Sequence, residues 1–300
     1  NTNIAVGGTT TIGTTACQKP SDCSLFGGGN AAATGDDTNN NSTANVELAG
    51  GTIFGNVYGG ANTSVVYGQT KLNIGAEVTD TNITKGNILI SGTVFGGGEA
   101  NASGSDDYDY TFISVTKAIE VLINGKDYTS FDILGSIFGS GNASSSGGTS
   151  KIDIKNYGTY ANPKRNISIQ RTNTLTIDNS ALVLKGATDR TNDYSDVLFT
   201  LSIIDKLNLK NNSTLYLETG SNLLKEFNSL ASDGSLAKVD IDKENGTVTK
   251  NVDNRIYMYA GKILNIATNQ SVTTYGDVNG MTFFGMYKYK QDNTVSVGIY

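Results

Sequence analysis

One short motif recurs four times in the first half of this 300-residue chain. Its copies are Ser24-Leu25-Phe26-Gly27-Gly28-Gly29-Asn30, Gly51-Thr52-Ile53-Phe54-Gly55-Asn56-Val57-Tyr58-Gly59-Gly60, Gly92-Thr93-Val94-Phe95-Gly96-Gly97-Gly98-Glu99 and Gly135-Ser136-Ile137-Phe138-Gly139-Ser140-Gly141-Asn142. Each sets a small or polar residue ahead of an aliphatic-aromatic pair and follows it with a glycine-rich turn. Recurrence on this scale requires one local geometry to repeat along the chain, which points to stacked repeats. Glycine after the aromatic ring allows either a positive φ or the close approach of a neighbouring backbone. In such a stack Phe26, Phe54, Phe95 and Phe138 are expected to form an internal aromatic ladder, each ring covering the next.

The intervals between these phenylalanines are unequal, as happens when loops of different length leave an otherwise constant coil. The stretches Asp36 to Ala44 and Asn101 to Asp109 are polar and read as two such loops. After residue 150 the glycine signature fades, but alternation persists in Lys151–Lys155, Asn166–Gln170, Thr174–Asp178, Lys206–Lys210, Thr214–Glu218 and Lys262–Ile266. Such segments read as strands with one face toward a core. Asn179, Asn211 and Asn212 follow strands and read as turn formers, because asparagine tolerates left-handed backbone and bonds to nearby main chain. Ser221 to Leu230 reads as a short helix or capping excursion, and the aromatic-rich Met281 to Tyr289 as core or end-cap packing.

The fold expected from these patterns is all-β: a parallel β-helix, or β-solenoid, with irregular loop insertions. A single elongated domain over residues 1–300 is the simplest organisation, with a subdivision near 186–196 and a distinct C-terminal β region as its variant. The Phe-Gly-Gly-Gly-Asn repeats, followed by alternating Ile and Leu strands and Asn-rich turns, resemble the passenger or stalk regions of bacterial cell-surface adhesin-like proteins built on parallel β-helices. That resemblance implies an extracellular or cell-surface, secreted protein that scaffolds binding loops for a glycan or a protein of a host or cell surface. The same fold class also holds phage fibres and polysaccharide-cleaving enzymes.

Composition narrows the chemistry. Net charge is -6 and charged residues make up 17% of the chain, so the broad cationic surface that nucleic-acid phosphates demand is missing. Lys164, Arg165 and Arg171 form one modest basic neighbourhood, without interleaved aromatics. No apolar stretch is long enough to span a bilayer, so a direct membrane span is not expected. The chain contains no histidine, which removes a His-assisted triad and a His-containing zinc site from this chain. Its glycine runs lack the Lys-Ser/Thr ending of a phosphate loop. Cys17 and Cys23 enclose a short polar loop with Pro20 and are positioned for a disulfide, which fits an oxidising compartment.

Two loop features remain as candidate sites. Asp106, Asp107 and Asp109, with Glu99 shortly before them, offer oxygen ligands for calcium, while the ordinary alternative is a solvated acidic loop. Asp36 and Asp37 repeat the idea more weakly. Tyr108 and Tyr110 stand in the same loop and suit stacking on a sugar or packing against a protein surface. The catalytic alternative is a calcium-assisted polysaccharide lyase or a glycoside hydrolase. Adjacent Asp106 and Asp107 do not make the separated carboxylate pair that glycosidic cleavage needs, and Lys117 or Lys126 would have to fold back to serve. A passive stalk, or a fibre component self-associating through an open strand edge, are the further readings.

Overall fold

The computed structural model describes residues 1–17, 23–76, 78–99, 112–142, 144–159 and 161–184. Further on it describes residues 187–188, 198–199, 201–211, 213–217, 238–241, 255–258, 282–283, 286–288 and 295–297. The chain is almost entirely β and contains a large parallel sheet that curls round on itself. It divides into two compact units, one of Asn1–Lys155 with Arg171–Asn173 and the other of Asn156–Gln170 with Thr174–Tyr300.

In the first unit the chain passes through three parallel ladders in a fixed order and repeats the circuit. The long ladder stacks Thr2–Val6, Ser42–Leu48, Gly68–Gly75, Ala118–Asn124 and Thr149–Lys155. A middle ladder stacks Thr11–Ile12, Gly51–Ile53, Ile88–Ile90 and Phe131–Ile133. A short ladder stacks Leu25–Phe26, Val57–Tyr58, Val94–Phe95 and Ile137–Phe138. Alternation along each strand turns every second side chain inward, and parallel register places like residues above one another. The columns Val46-Leu72-Val121-Ile152, Leu48-Ile74-Ile123-Ile154, Ile53-Ile90-Ile133 and Val57-Val94-Ile137 are all buried. Each such aliphatic side chain contributes about 1.5–3 kcal/mol by leaving water.

The aromatic column differs from the sequence expectation in one member. Phe26, Tyr58, Phe95 and Phe138 stack, with ring centroids 4.6, 4.8 and 5.0 Å apart. Tyr58, not Phe54, fills the second position. Ile53-Phe54-Gly55 and Val57-Tyr58-Gly59 both fit an aliphatic-aromatic-glycine reading, and register decides between them. Ile53 pairs with Ile90 in the middle ladder, whereas Tyr58 pairs with Phe95 in the short one. Phe54 therefore stands one residue past the middle strand, at the place held by Ser91 and by Leu134, which is 53% exposed.

The bend between the middle and short ladders explains the small and polar residues of the motif. A side chain on Gly92 would put its Cβ 2.3 Å from the Gly55 carbonyl oxygen, and one on Gly135 would lie 2.3 Å from that of Gly92. The next position hands each backbone N–H to the preceding copy's side chain. Asn56 N–H donates to Ser24 Oγ (2.9 Å), Thr93 N–H to Asn56 Oδ1 (2.8 Å) and Ser136 N–H to Thr93 Oγ1 (3.2 Å). Buried main-chain donors at a bend thus keep partners.

Ala44, expected in a polar loop, is buried within the strand Ser42–Leu48; the loop is confined to the residues before it. Cys17 and Cys23 are joined by a disulfide.

The second unit has its own parallel ladder of Lys164–Asn166, Ala181–Leu184, Thr214–Leu217 and Arg255–Met258. Asn156, Asn179 and Asn211 all take a left-handed backbone, with φ of 50°, 45° and 49°. Asn179 Nδ2 donates to Asn156 Oδ1 at 2.7 Å, so the turns stack as well. Around Asn166–Gln170 the expected alternation fails: Asn166, Ser168 and Ile169 are buried while Ile167 is only half-buried. Asn212, Lys262–Ile266 and Ser221–Leu230 lie outside the described residues, as does all but two residues of 186–196. Within Met281–Tyr289 the structure describes the strands Thr282–Phe283 and Met286–Lys288.

Two substitutions separate the roles of glycine. Gly92→Ala should cost about 3 kcal/mol through overpacking against the Gly55 carbonyl. Gly8→Ala, at φ 63° with open space around it, should cost about 1 kcal/mol for its left-handed backbone. Chemical denaturation of the two variants checks the order. Likewise Tyr58→Ala should cost about 3–5 kcal/mol, and Phe54→Ala under about 1 kcal/mol.

Candidate functional site

The glycine turn that ends the short ladder is where the first unit sends out its loops. Asn62 N–H donates to Gly29 O (3.2 Å), Glu99 N–H to Ala61 O (3.0 Å) and Asn142 N–H to Gly98 O (3.0 Å). Asn30, Asn62, Glu99 and Asn142 are therefore equivalent positions in successive turns, and each opens a connection to the next long strand. The connections differ in length but are drawn together again. Thr34, Val66 and Val115 bridge in parallel, and Ile113–Val115 pairs with Ser145–Ser146.

Polar side chains tie this loop layer to itself. Asn62 Nδ2 donates to Asn30 Oδ1 (2.7 Å), Ser144 Oγ to Ser114 Oγ (2.8 Å) and Lys117 Nζ to Asn41 Oδ1 (2.6 Å). The Thr116 hydroxyl donates to Asn40 Oδ1. Asp36 accepts the Thr38 hydroxyl and the Asn39 and Thr38 N–H groups, and these donors hold its carboxyl below the usual range. Ile113, 42% exposed, is a large apolar side chain left open to solvent in this layer.

Glu99 is directed to the core side of the turn. The Tyr58 hydroxyl bonds with its carboxylate and accepts from Asn56 Nδ2 at 3.0 Å. Burial first, and then the charge of Glu99, push the Tyr58 phenol well above its ordinary value. Asp106, Asp107, Asp109, Tyr108 and Tyr110 lie outside the described residues. Among the described residues no group of three metal-ligating His, Cys, Asp or Glu side chains comes together. Asp36 and Asp37 sit in a tight exposed turn. Lys117 engages Asn41, and the Lys126 N–H donates to Asn124 Oδ1 in the turn after the long strand.

A second polar centre was not visible in the sequence. Residues 78–86, which follow the third long strand, double back as a strap toward the first two. Thr84 O accepts from Gly8 N–H (2.7 Å), and Gly86 N–H donates to Ala49 O (3.0 Å). Beneath the strap Glu47, 5% exposed, accepts the Thr79 hydroxyl (2.7 Å) and the Asp80 N–H (3.0 Å). The Tyr128 hydroxyl donates to Ala49 O (3.0 Å), and Lys85 Nζ lies 5.8 Å from the Tyr128 ring centroid. Glu47 alternates with Val46 and Leu48 as a solvated residue should; only a segment some thirty positions later covers it.

No protein-family model, no curated protein and no solved structure matches this chain.

Burial pushes the Glu47 carboxyl up, but donors from Thr79, Asp80 and Asn45 outweigh it and hold it below the usual glutamate range. A depressed carboxyl contributes stability that is present above its unfolded value and lost as pH falls through the folded one. Melting temperatures of the native chain and Glu47→Gln should therefore differ most above about pH 5 and converge as the pH falls below about 4. A constant difference across that range would contradict the assignment.

Proposed function

We propose that this chain is a parallel β-helix module of an extracellular surface protein, whose work is to hold binding loops for a glycan or protein. The observation that carries this reading is the turn at Asn30, Asn62, Glu99 and Asn142. Successive circuits of the first unit keep the same aliphatic columns, yet each sends out a connection of different length and sequence from that one place. A stack of this kind separates stability from recognition, because the ladders tolerate changes in the loops. The disulfide between Cys17 and Cys23 supports an oxidising compartment. Neutral polar side chains, tyrosines and few charges suit contact with hydroxyl-rich or neutral surfaces.

On this reading Tyr108 and Tyr110, in the connection that follows Glu99, stack against the ligand. The test is size-resolved chromatography of a panel of extracellular polysaccharides and surface proteins after incubation with the chain. A lasting shift of an intact polymer or protein into a complex is the expected result. Tyr108→Ala with Tyr110→Ala should weaken that complex at least tenfold without lowering the melting temperature. Progressive shortening of a polysaccharide would overturn the non-catalytic reading in favour of an enzyme.

A further inference from the structure

The outward face of the long ladder carries an oxygen-rich layer that neither the core nor the loop-bearing turn uses. Glu47 and Asn73 are register partners on adjacent strands, so both leave the same face about one strand spacing apart. Asn45 precedes Glu47 by one alternation and shares that face. Glu47 and Asn73 are more than nine-tenths buried, at 5% and 8% exposure.

Two of the four side-chain oxygens in this layer receive no donor. The Glu47 carboxylate receives the Thr79 hydroxyl, the Asp80 and Thr79 N–H groups and the Asn45 side-chain amide. Asn45 Oδ1 and Asn73 Oδ1 are both buried, and neither receives a hydrogen bond from the protein. Because the Asn45 amide nitrogen is committed to Glu47, its oxygen end is fixed. Lys71, the register partner of Asn45, is half-exposed and donates to neither amide oxygen.

A buried acceptor without a donor opposes folding, and a carboxylate beside it deepens the deficit of positive charge. The fold does not demand asparagine here, since Leu122 occupies the equivalent place on the next strand. A hard cation takes a ligand set of amide carbonyls and a carboxylate.

We propose that Glu47, Asn45 and Asn73 bind a calcium ion beneath the strap of residues 78–86, pinning the strap to the sheet. Calcium fits better than magnesium because it accepts irregular, oxygen-only coordination, whereas magnesium demands near-ideal octahedral geometry. With a single carboxylate among the side-chain ligands, affinity falls in the weak range of about 10⁻⁴–10⁻³ M.

The experiment uses the full chain, stripped with a chelator and titrated with calcium, with magnesium as the control. Calcium at ten times its dissociation constant should raise the thermal midpoint. Asn73→Leu should keep the calcium-free midpoint at or above that of the native chain, while losing at least tenfold in calcium affinity; Glu47→Gln should lose the same. In the native chain, calcium should also shift the Thr79 and Asp80 amide resonances, a readout that does not depend on any variant folding. The proposal is overturned if the native chain shows no calcium response, or if Asn73→Leu responds as the native chain does. It fails too if the resonance shifts leave Thr79 and Asp80 unmoved, or if Asp106→Asn with Asp107→Asn abolishes the response instead.

Discussion

Backbone contact between successive circuits of the chain is the constraint on which the first unit depends. At the bend after the middle ladder the carbonyl of one circuit lies where the Cβ of the next would be, so Gly92 and Gly135 have no substitute with a side chain. Once those backbones touch, the spacing of everything attached to them is set. The aliphatic columns close, the rings of Phe26, Tyr58, Phe95 and Phe138 meet at 4.6–5.0 Å, and Ser24, Asn56 and Thr93 each come within reach of the next circuit's N–H. Stacking, hydrogen bonding and burial are thus consequences of one repeat distance.

Much of this was legible in the sequence because the repeat distance leaves a chemical trace at each position. Glycine, an aliphatic-aromatic pair and a small polar residue recur because the same place in the stack recurs. The left-handed asparagines Asn179 and Asn211 were readable for a similar reason, since few residues accept that backbone and also bond sideways. The second aromatic position was misread because Phe54 and Tyr58 satisfy the local pattern equally well. What separates them is pairing with Ile90 or Phe95 on another circuit, and local composition does not carry that information.

The polar layer under residues 78–86 was hidden for a related reason. In the sequence Glu47 is one charged residue in an alternating strand, and Asn45 and Asn73 are two asparagines among many. The burial of Glu47 comes from a strap contributed by the following circuit and folded backward across two strands. Long-range coverage of an outward face breaks the simple rule that alternate residues meet water. The loop-bearing turn falls between these cases: the Asn30, Asn62, Glu99 and Asn142 positions were visible as ends of the motif, but not their convergence into a stack with its own side-chain bonds.

Ring-to-ring contact tests the stacked register most directly. In a nuclear Overhauser spectrum of the chain with selectively labelled aromatic residues, the Tyr58 ring protons should show strong cross-peaks to the rings of both Phe26 and Phe95, while Phe54 shows neither. Cross-peaks from Phe54 to Phe26 and Phe95, with none from Tyr58, would contradict the register and with it the ladder of equivalent turns on which the loops are placed.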